Sequence, residues 1–242
     1  MIFIDLIIAS FLFQTIQTQN VAIKPKIKVG ICAVQDIETD MIGFAQAGGA
    51  VAISLKKLQE RGYLNDFDFE FVVEYTECDR GNSARVGLLF MRNSDIDVII
   101  GPPCPSAISI VTSMATIFNK LVLGWGFVSD SEFSDMSRYP NLASIMTNSL
   151  TLGYAVSAIL EKFSWEKVAL LYMPSELKFC EGVIADVETV LNYPSTYQTS
   201  IVYKNILNIS SESETNSTLQ IVKSRSRVII VCPQTAAEKR KY

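Results

Sequence analysis

The chain has 242 residues, with 21 Lys and Arg against 25 Asp and Glu, a formal net charge of −4, five cysteines and no histidine. Without an imidazole, Ser-His-Asp and Cys-His nucleophilic sites, histidine-bearing zinc sites and histidine general bases are excluded. The acidic balance leaves no footprint for nucleic acid, and Lys239-Arg240-Lys241 is too short to make one.

Met1 to Phe13 is almost wholly apolar, broken by Asp5 and Ser10, and Gln14 to Asn20 is polar. The run is too short to span a bilayer and suits a signal-peptide core, so residues 1–19 are expected to be a leader cleaved between about Thr15 and Gln19. A positive n-region and a clean small-x-small site are missing, and an amino-terminal buried strand is the competing reading. The remaining length suits two modest lobes or one large domain.

Ile27 to Val34 reads as a short apolar strand. Met41 to Arg61 reads as a helix stopped by Gly62, with Ala50, Ile53, Leu55 and Leu58 on an inward face. Its Gly48 and Gly49 do not have dinucleotide-fingerprint spacing and are expected to let the helix pack closely on a sheet. Phe67 to Glu77 is the second strand, Asn82 to Asn93 a helix, Val98 to Gly101 the third strand, Ser106 to Phe118 a helix and Leu121 to Trp125 the fourth strand. Alternation with short connections predicts an α/β, doubly wound parallel sheet with right-handed crossovers, forming lobe one over residues 26–126.

Phe127 to Asn141, rich in Ser and Asp, reads as a connection. Residues 142–242 then form a second set: strand Ala143 to Thr147, helix Leu150 to Phe163, strand Val168 to Met173 and helix Phe179 to Leu191. Strand Tyr197 to Lys204, a polar loop Asn208 to Ser217, a helix Thr218 to Ser224 and strand Val228 to Cys232 complete it. Built like the first lobe, this second lobe lacks several elements, so a fragment is expected.

Cys78 and Cys104 each follow a strand of the first lobe, and these two strands are expected to be neighbours in one sheet, so that the sulfurs meet at its carboxyl edge, where a bridge fits an extracellular domain. Cys180 and Cys232 can meet likewise in the second lobe, leaving Cys32 as a buried thiol. Sequence alone allows other pairings, and five reduced core cysteines is the alternative. The sequons at Asn208 and Asn216 fall in the polar loop, where glycans would be exposed.

Gly62 to Phe71, Tyr75-Thr76-Glu77-Cys78-Asp79, Gly101-Pro102-Pro103-Cys104 and Lys162 to Ala169 resemble the extracellular ligand-binding domain of receptor-type guanylate cyclases and natriuretic peptide receptors. The likeness is closest to the sensory receptor cyclases of nematodes and covers about Lys26 to Pro233. It implies a type I periplasmic-binding-protein fold, with two lobes around a cleft and Cys78–Cys104 and Cys180–Cys232 pairs. It also implies an ectodomain that dimerises, with itself or a related receptor, and controls a distant cyclase through a membrane helix. No cofactor is implied. Relatives that bind natriuretic peptides hold a chloride at a Gly-Pro-Gly-Cys turn. Here Pro102, Pro103 and Pro105 lack N–H groups, so little chloride dependence is expected.

Ligands of such proteins sit beyond the carboxyl ends of the strands. The candidate lining is Gln35 and Asp36, Pro105 and Ser106, Trp125 and Ser129 in lobe one, and Tyr172 and Ser175 in lobe two. Turn, capping and core roles compete for each. The expected function is binding of an extracellular peptide or small molecule, with no catalytic residues and no metal. A secreted solute-binding or decoy module and a cytosolic α/β enzyme using carboxylates are the alternatives.

Overall fold

The computed structural model describes residues 24–92, 95–174 and 177–233. The expected leader, Ser175 and the basic run at 239–241 lie outside these residues. The first sheet is built from β1 (Lys26–Ala33), β2 (Asp68–Tyr75), β3 (Val98–Ile100), β4 (Leu121–Gly124) and β5 (Leu142–Ser144). All its pairs are parallel, in the order β2-β1-β3-β4-β5. The second sheet is β7-β6-β8, also parallel, from β6 (Lys167–Tyr172), β7 (Ser200–Ile206) and β8 (Val228–Cys232). Helices α1 (Thr39–Ile42), α2 (Phe44–Glu60), α3 (Arg80–Arg92) and α4 (Pro105–Phe118) belong to the first lobe. Helices α5 (Ser149–Lys162), α6 (Phe179–Leu191) and α7 (Glu212–Arg225) belong to the second, and a 3-10 turn (Ser131–Ser134) lies between β4 and β5.

Alternation along each strand decides what the faces touch. In β1, Cys32 points into a core with Val86, Phe90, Ile108, Val111 and Val122 on the side of α3 and α4, whereas Val29, Ile31 and Ala33 point to the other face. A Cβ on Gly30 would stand 2.8 Å from the Phe90 ring, so a glycine there lets α3 approach the sheet. In β6, Val168 and Leu170 pack against α5 and α6, while Ala169 and Leu171 pack with Val222 of α7.

Six sequence readings need correction. β2 and β3, expected to be neighbours, are separated by β1 in the sheet. Residues 142–144, expected to open the second lobe, are the fifth strand of the first sheet, pairing Val122 with Leu142 through Gly124 with Ser144. The single helix at 41–61 is two, broken at Gly43, whose extended backbone caps one and starts the next while Phe44 N–H bonds Val34 O at 2.8 Å. α2 buries none of its residues, and Ile53 faces solvent at 58% exposure. Gly48 meets only its own helix's Phe44 and Gly49 meets nothing within 4 Å, so neither brings α2 onto the sheet. Finally α7 starts at Glu212, because Ser211 Oγ accepts the Glu214 N–H at 3.3 Å as an N-cap. Asn216 is therefore an exposed helical residue rather than a loop residue, while Asn208 is exposed ahead of the helix.

Candidate ligand site at the lobe seam

The loops leaving β1, β2, β3 and β4 gather at one sheet edge. Glu77 and Cys78 after β2 both have left-handed backbones, with φ of 48° and 54°. That turn aims the Glu77 carboxylate at β1's end, where it accepts the N–H groups of Gln35 at 2.8 Å and Asp36 at 2.9 Å. It also carries Cys78 to Cys104, to which it is disulfide-bonded with the α-carbons 5.6 Å apart. Gly101 has φ of 78°, and a Cβ there would lie 2.7 Å from Cys32 O, so the Gly-Pro-Pro-Cys turn needs its glycine.

Behind this edge lies an apolar cluster shared by the lobes. Val34, Ile42, Cys78, Cys104, Ala107 and Phe127 come from the first lobe and the loop after β4, and Leu177 and Phe179 from the start of α6. The Phe127 and Phe179 rings sit 5.0 Å apart at 53°. Cys180, next along α6, is bonded to Cys232 at the end of β8.

Beside the cluster the seam becomes polar. Asp186, only 7% exposed on α6, accepts from Ser131 N–H at 2.8 Å, from Ser131 Oγ at 2.6 Å and from Ser149 Oγ. Ser149 N–H and Oγ also bond Ser129 O, at 2.8 and 2.9 Å. Asp130 packs against Gly182 of α6, and its Oδ1 and Glu181 Oε2 are buried without a hydrogen-bond partner. Burial first, and then the charges of Asp186, Glu132 and Glu181, push the Asp130 carboxyl up to about 7. Burial, with Glu74 adding to it, holds the Cys32 thiol far above its ordinary range, in its protonated form.

The structure brings only part of the expected lining together. Gln35 and Asp36 have exposed side chains and backbones clamped by Glu77. Pro105 is buried as the first residue of α4, and Ser106 follows it half-buried. Trp125 packs on the shared cluster with its indole N–H unpartnered, and Ser129 anchors Ser149 through its carbonyl. Tyr172 packs with the second lobe's core, opposite Cys232 in register. Glu77 at the edge of the first sheet and Phe127, Asp130, Ser131, Phe179 and Asp186 at the seam are residues that sequence reasoning passed over. Asp186 left a signal, as an acid among Val183, Val187 and Val190 on the apolar side of α6.

The Gly101–Cys104 turn suits an anion poorly, because Pro105 occupies the first position of α4 and Pro102 and Pro103 precede it, so three N–H groups are missing. Among the described residues, no group of three or more His, Cys, Asp or Glu could hold a metal ion, and no helix is long and apolar enough to cross a membrane.

Two parallel-sheet α/β lobes meeting at the carboxyl edge of the first sheet define the class as a type I periplasmic-binding-protein-like fold. The profile of the receptor family ligand binding region matches residues 46–242, so the chain belongs to that family. It is similar to receptor-type guanylate cyclase gcy-1 of Caenorhabditis elegans, 45% identical over 98% of the chain and 21% of the relative. It also resembles gcy-2 of the same species, 47% identical over 95% of the chain and 21% of the relative. Against gcy-4 of Caenorhabditis briggsae it is 48% identical, over 90% of the chain and 19% of the relative. The chain thus spans about a fifth of the length of these relatives.

Proposed function

We propose that this chain is the extracellular ligand-binding part of a receptor-type guanylate cyclase and that it takes a peptide or small molecule at the seam between its lobes. The observation that carries this reading is the shared cluster around Phe127 and Phe179. It couples the loops after β1 to β4 to the start of α6, so a ligand wedged there changes the angle between the lobes. A ligand that prefers one angle shifts that equilibrium by its difference in affinity for the two states. In a dimer the shift would reach a cyclase carried on the same polypeptide.

The reading is supported by the disulfides at both lobe edges, which suit an oxidising compartment. It assigns residues 1–19 to a leader, residues 26–126 to lobe one and residues 142–242 to part of lobe two, with Leu142–Ser144 excepted as a strand of the first sheet.

The experiment is secretion of the chain from animal cells followed by intact mass and non-reduced peptide mapping. Loss of the leader, Cys78–Cys104 and Cys180–Cys232 crosslinks, and glycan on Asn208 or Asn216 are expected. A second arm grafts the chain in place of the matching stretch of gcy-1 and measures cyclic GMP on exposure to a peptide and small-molecule panel. Retention in the cell with free thiols, or a folded graft that never responds, overturns the reading.

A further inference from the structure

The second sheet meets the seam at its carboxyl edge, where Cys232 of β8 is bonded to Cys180 beside Phe179. The amino ends of β6 and β8 lie at the opposite end of the lobe. There the turn after α5 and the turn after α7 come together. Trp165 N–H bonds Leu160 O at 2.8 Å to close the first, and Ser226 Oγ donates to Lys167 O at 2.9 Å, which ties the two turns to each other. Residues 164–167 and 223–228 wall a pocket of about 340 Å³ between them.

Strand parity decides which charges this pocket collects. β6 and β8 pair Val168 with Val228, so Lys167 and Arg227 stand side by side one step earlier, on strands about 4.8 Å apart. Val168 and Val228 pack with the core under α5 and α6, whereas Ala169 and Val231 pack with Val222 of α7. Alternation therefore sends Lys167 and Arg227 to the α7 side, where that helix ends in Lys223 and Arg225. All four cations are exposed, and none of the ion pairs among the described residues involves them. Glu166 is the single acid in the lining.

Compensation of the helix dipole accounts for Lys223 and Arg225 in the last turn of α7, but not for Lys167 and Arg227, which lie outside the helix. Like charges facing each other on adjacent strands repel, and an anion seated between them removes that cost. The same end of the lobe carries an aromatic platform. Trp165 and Phe163 stack with ring centroids 4.9 Å apart at 17°–22° of a parallel face, and both are exposed. Cations beside an accessible indole suit a ligand with acidic groups on a ring whose C–H face can lie on the aromatic. Three cations within residues 223–227, in a chain of net charge −4, have the density of a heparin-type patch. A membrane surface fits less well, because anionic lipid belongs to the cytoplasmic leaflet and both disulfides suit the outside of the cell.

We propose that this pocket binds a sulfated glycosaminoglycan, with Lys167, Lys223 and Arg227 on its sulfate groups and Trp165 against a sugar ring. The site lies at the end of the second lobe away from the seam. It rests on the extracellular placement in the proposed function and on nothing about which ligand the seam takes.

The test is calorimetric titration of the secreted chain with a size-defined heparin oligosaccharide at several salt concentrations. One-to-one binding that weakens steeply with salt is expected, as for any polyanion whose counterions are released. Lys167→Ala combined with Arg227→Ala should weaken it about tenfold or more, and Trp165→Ala about threefold. Glu166→Gln, which removes the one acid, should strengthen it, and Lys56→Ala on α2 should change nothing. Circular dichroism should be the same for all four. The proposal is overturned by a folded chain that ignores heparin, by losses as large in Lys56→Ala as in the double variant, by indifference to both the double variant and Glu166→Gln, or by capture on phosphatidylserine vesicles in preference to heparin. Heparin binding by a chain whose graft never raises cyclic GMP overturns the seam reading alone, and a responsive graft with no heparin binding overturns this proposal alone.

Discussion

Ser131 and Asp186, 55 residues apart, form a two-point contact across the lobe seam, with Ser131 N–H on one carboxylate oxygen at 2.8 Å and Ser131 Oγ on the other at 2.6 Å. Ser149 Oγ adds a third donor from the start of α5. One side chain of α6 thus ties the connection after β4 to the helix after β5, and it does so where the lobes join.

Replacing Asp186 by Ala leaves those donors without their acceptor in a buried place. Hydrogen bonds to charged groups contribute about 1.5–3 kcal/mol each and are not additive when they share an acceptor, so a loss of about 2–4 kcal/mol is expected. Asp186→Asn keeps one acceptor oxygen and should lose less. Urea denaturation of the three proteins checks both the size and the order.

Asp130 makes the seam pH-dependent. Its carboxyl, raised from 3.8 to about 7 by burial and by Asp186, Glu132 and Glu181, stays protonated in the folded chain where the unfolded chain has released the proton. Its contribution to stability is therefore complete below about 3.8 and lost as the pH rises through about 7. An Asp130→Asn variant holds a neutral group there at every pH. Its urea midpoint should gain on the parent's between about pH 5 and about pH 8, and Asp186→Asn, which removes a charge that raises the Asp130 carboxyl, should make the fall smaller and end it at lower pH. Parallel curves for parent and Asp130→Asn would count against this role.

How much of this was legible depends on the range of the information. The bounds of α6 and β8 follow from local pattern, a 3.6-residue apolar period in Phe179–Leu191 and a solid apolar run in Val228–Cys232. The three residues of β5 carry no period of their own, and membership of the first sheet is set by pairing with β4 rather than by anything in Leu-Ala-Ser. For α2, periodicity placed Ala50, Leu55 and Leu58 correctly on the side facing the sheet but added Ile53, which faces solvent. The seam was least visible, because Asp130 meets Gly182 across 52 positions and each looks ordinary alone, an acid in a polar loop and a glycine in a helix.

The two bridges close stretches of 26 and 52 residues, which corresponds to about 3.5 and about 4 kcal/mol in the chain-entropy picture. Cys180→Ser with Cys232→Ser should therefore destabilise slightly more than Cys78→Ser with Cys104→Ser, read as shifts in denaturation midpoint. Cys32, fully buried with its thiol held protonated, should stay unmodified by iodoacetamide in the native chain and react only on unfolding. Labelling of Cys32 under native conditions would show that the face beneath α3 and α4 opens.

Gly182→Ala offers a change of sign. In an exposed helix interior this substitution gains about 1 kcal/mol from lower backbone entropy in the unfolded chain. Here a Cβ on residue 182 overlaps both carboxylate oxygens of Asp130, and overpacking of this kind costs about 1–3 kcal/mol. The parent should be destabilised by Gly182→Ala, whereas in an Asp130→Ala background, with the carboxylate gone, the same change should stabilise. The coupling in that double-mutant cycle measures the contact between the connection and α6 directly. Additive effects would mean that Asp130 swings away at little cost and that the packing of these two residues does not hold the lobes in register.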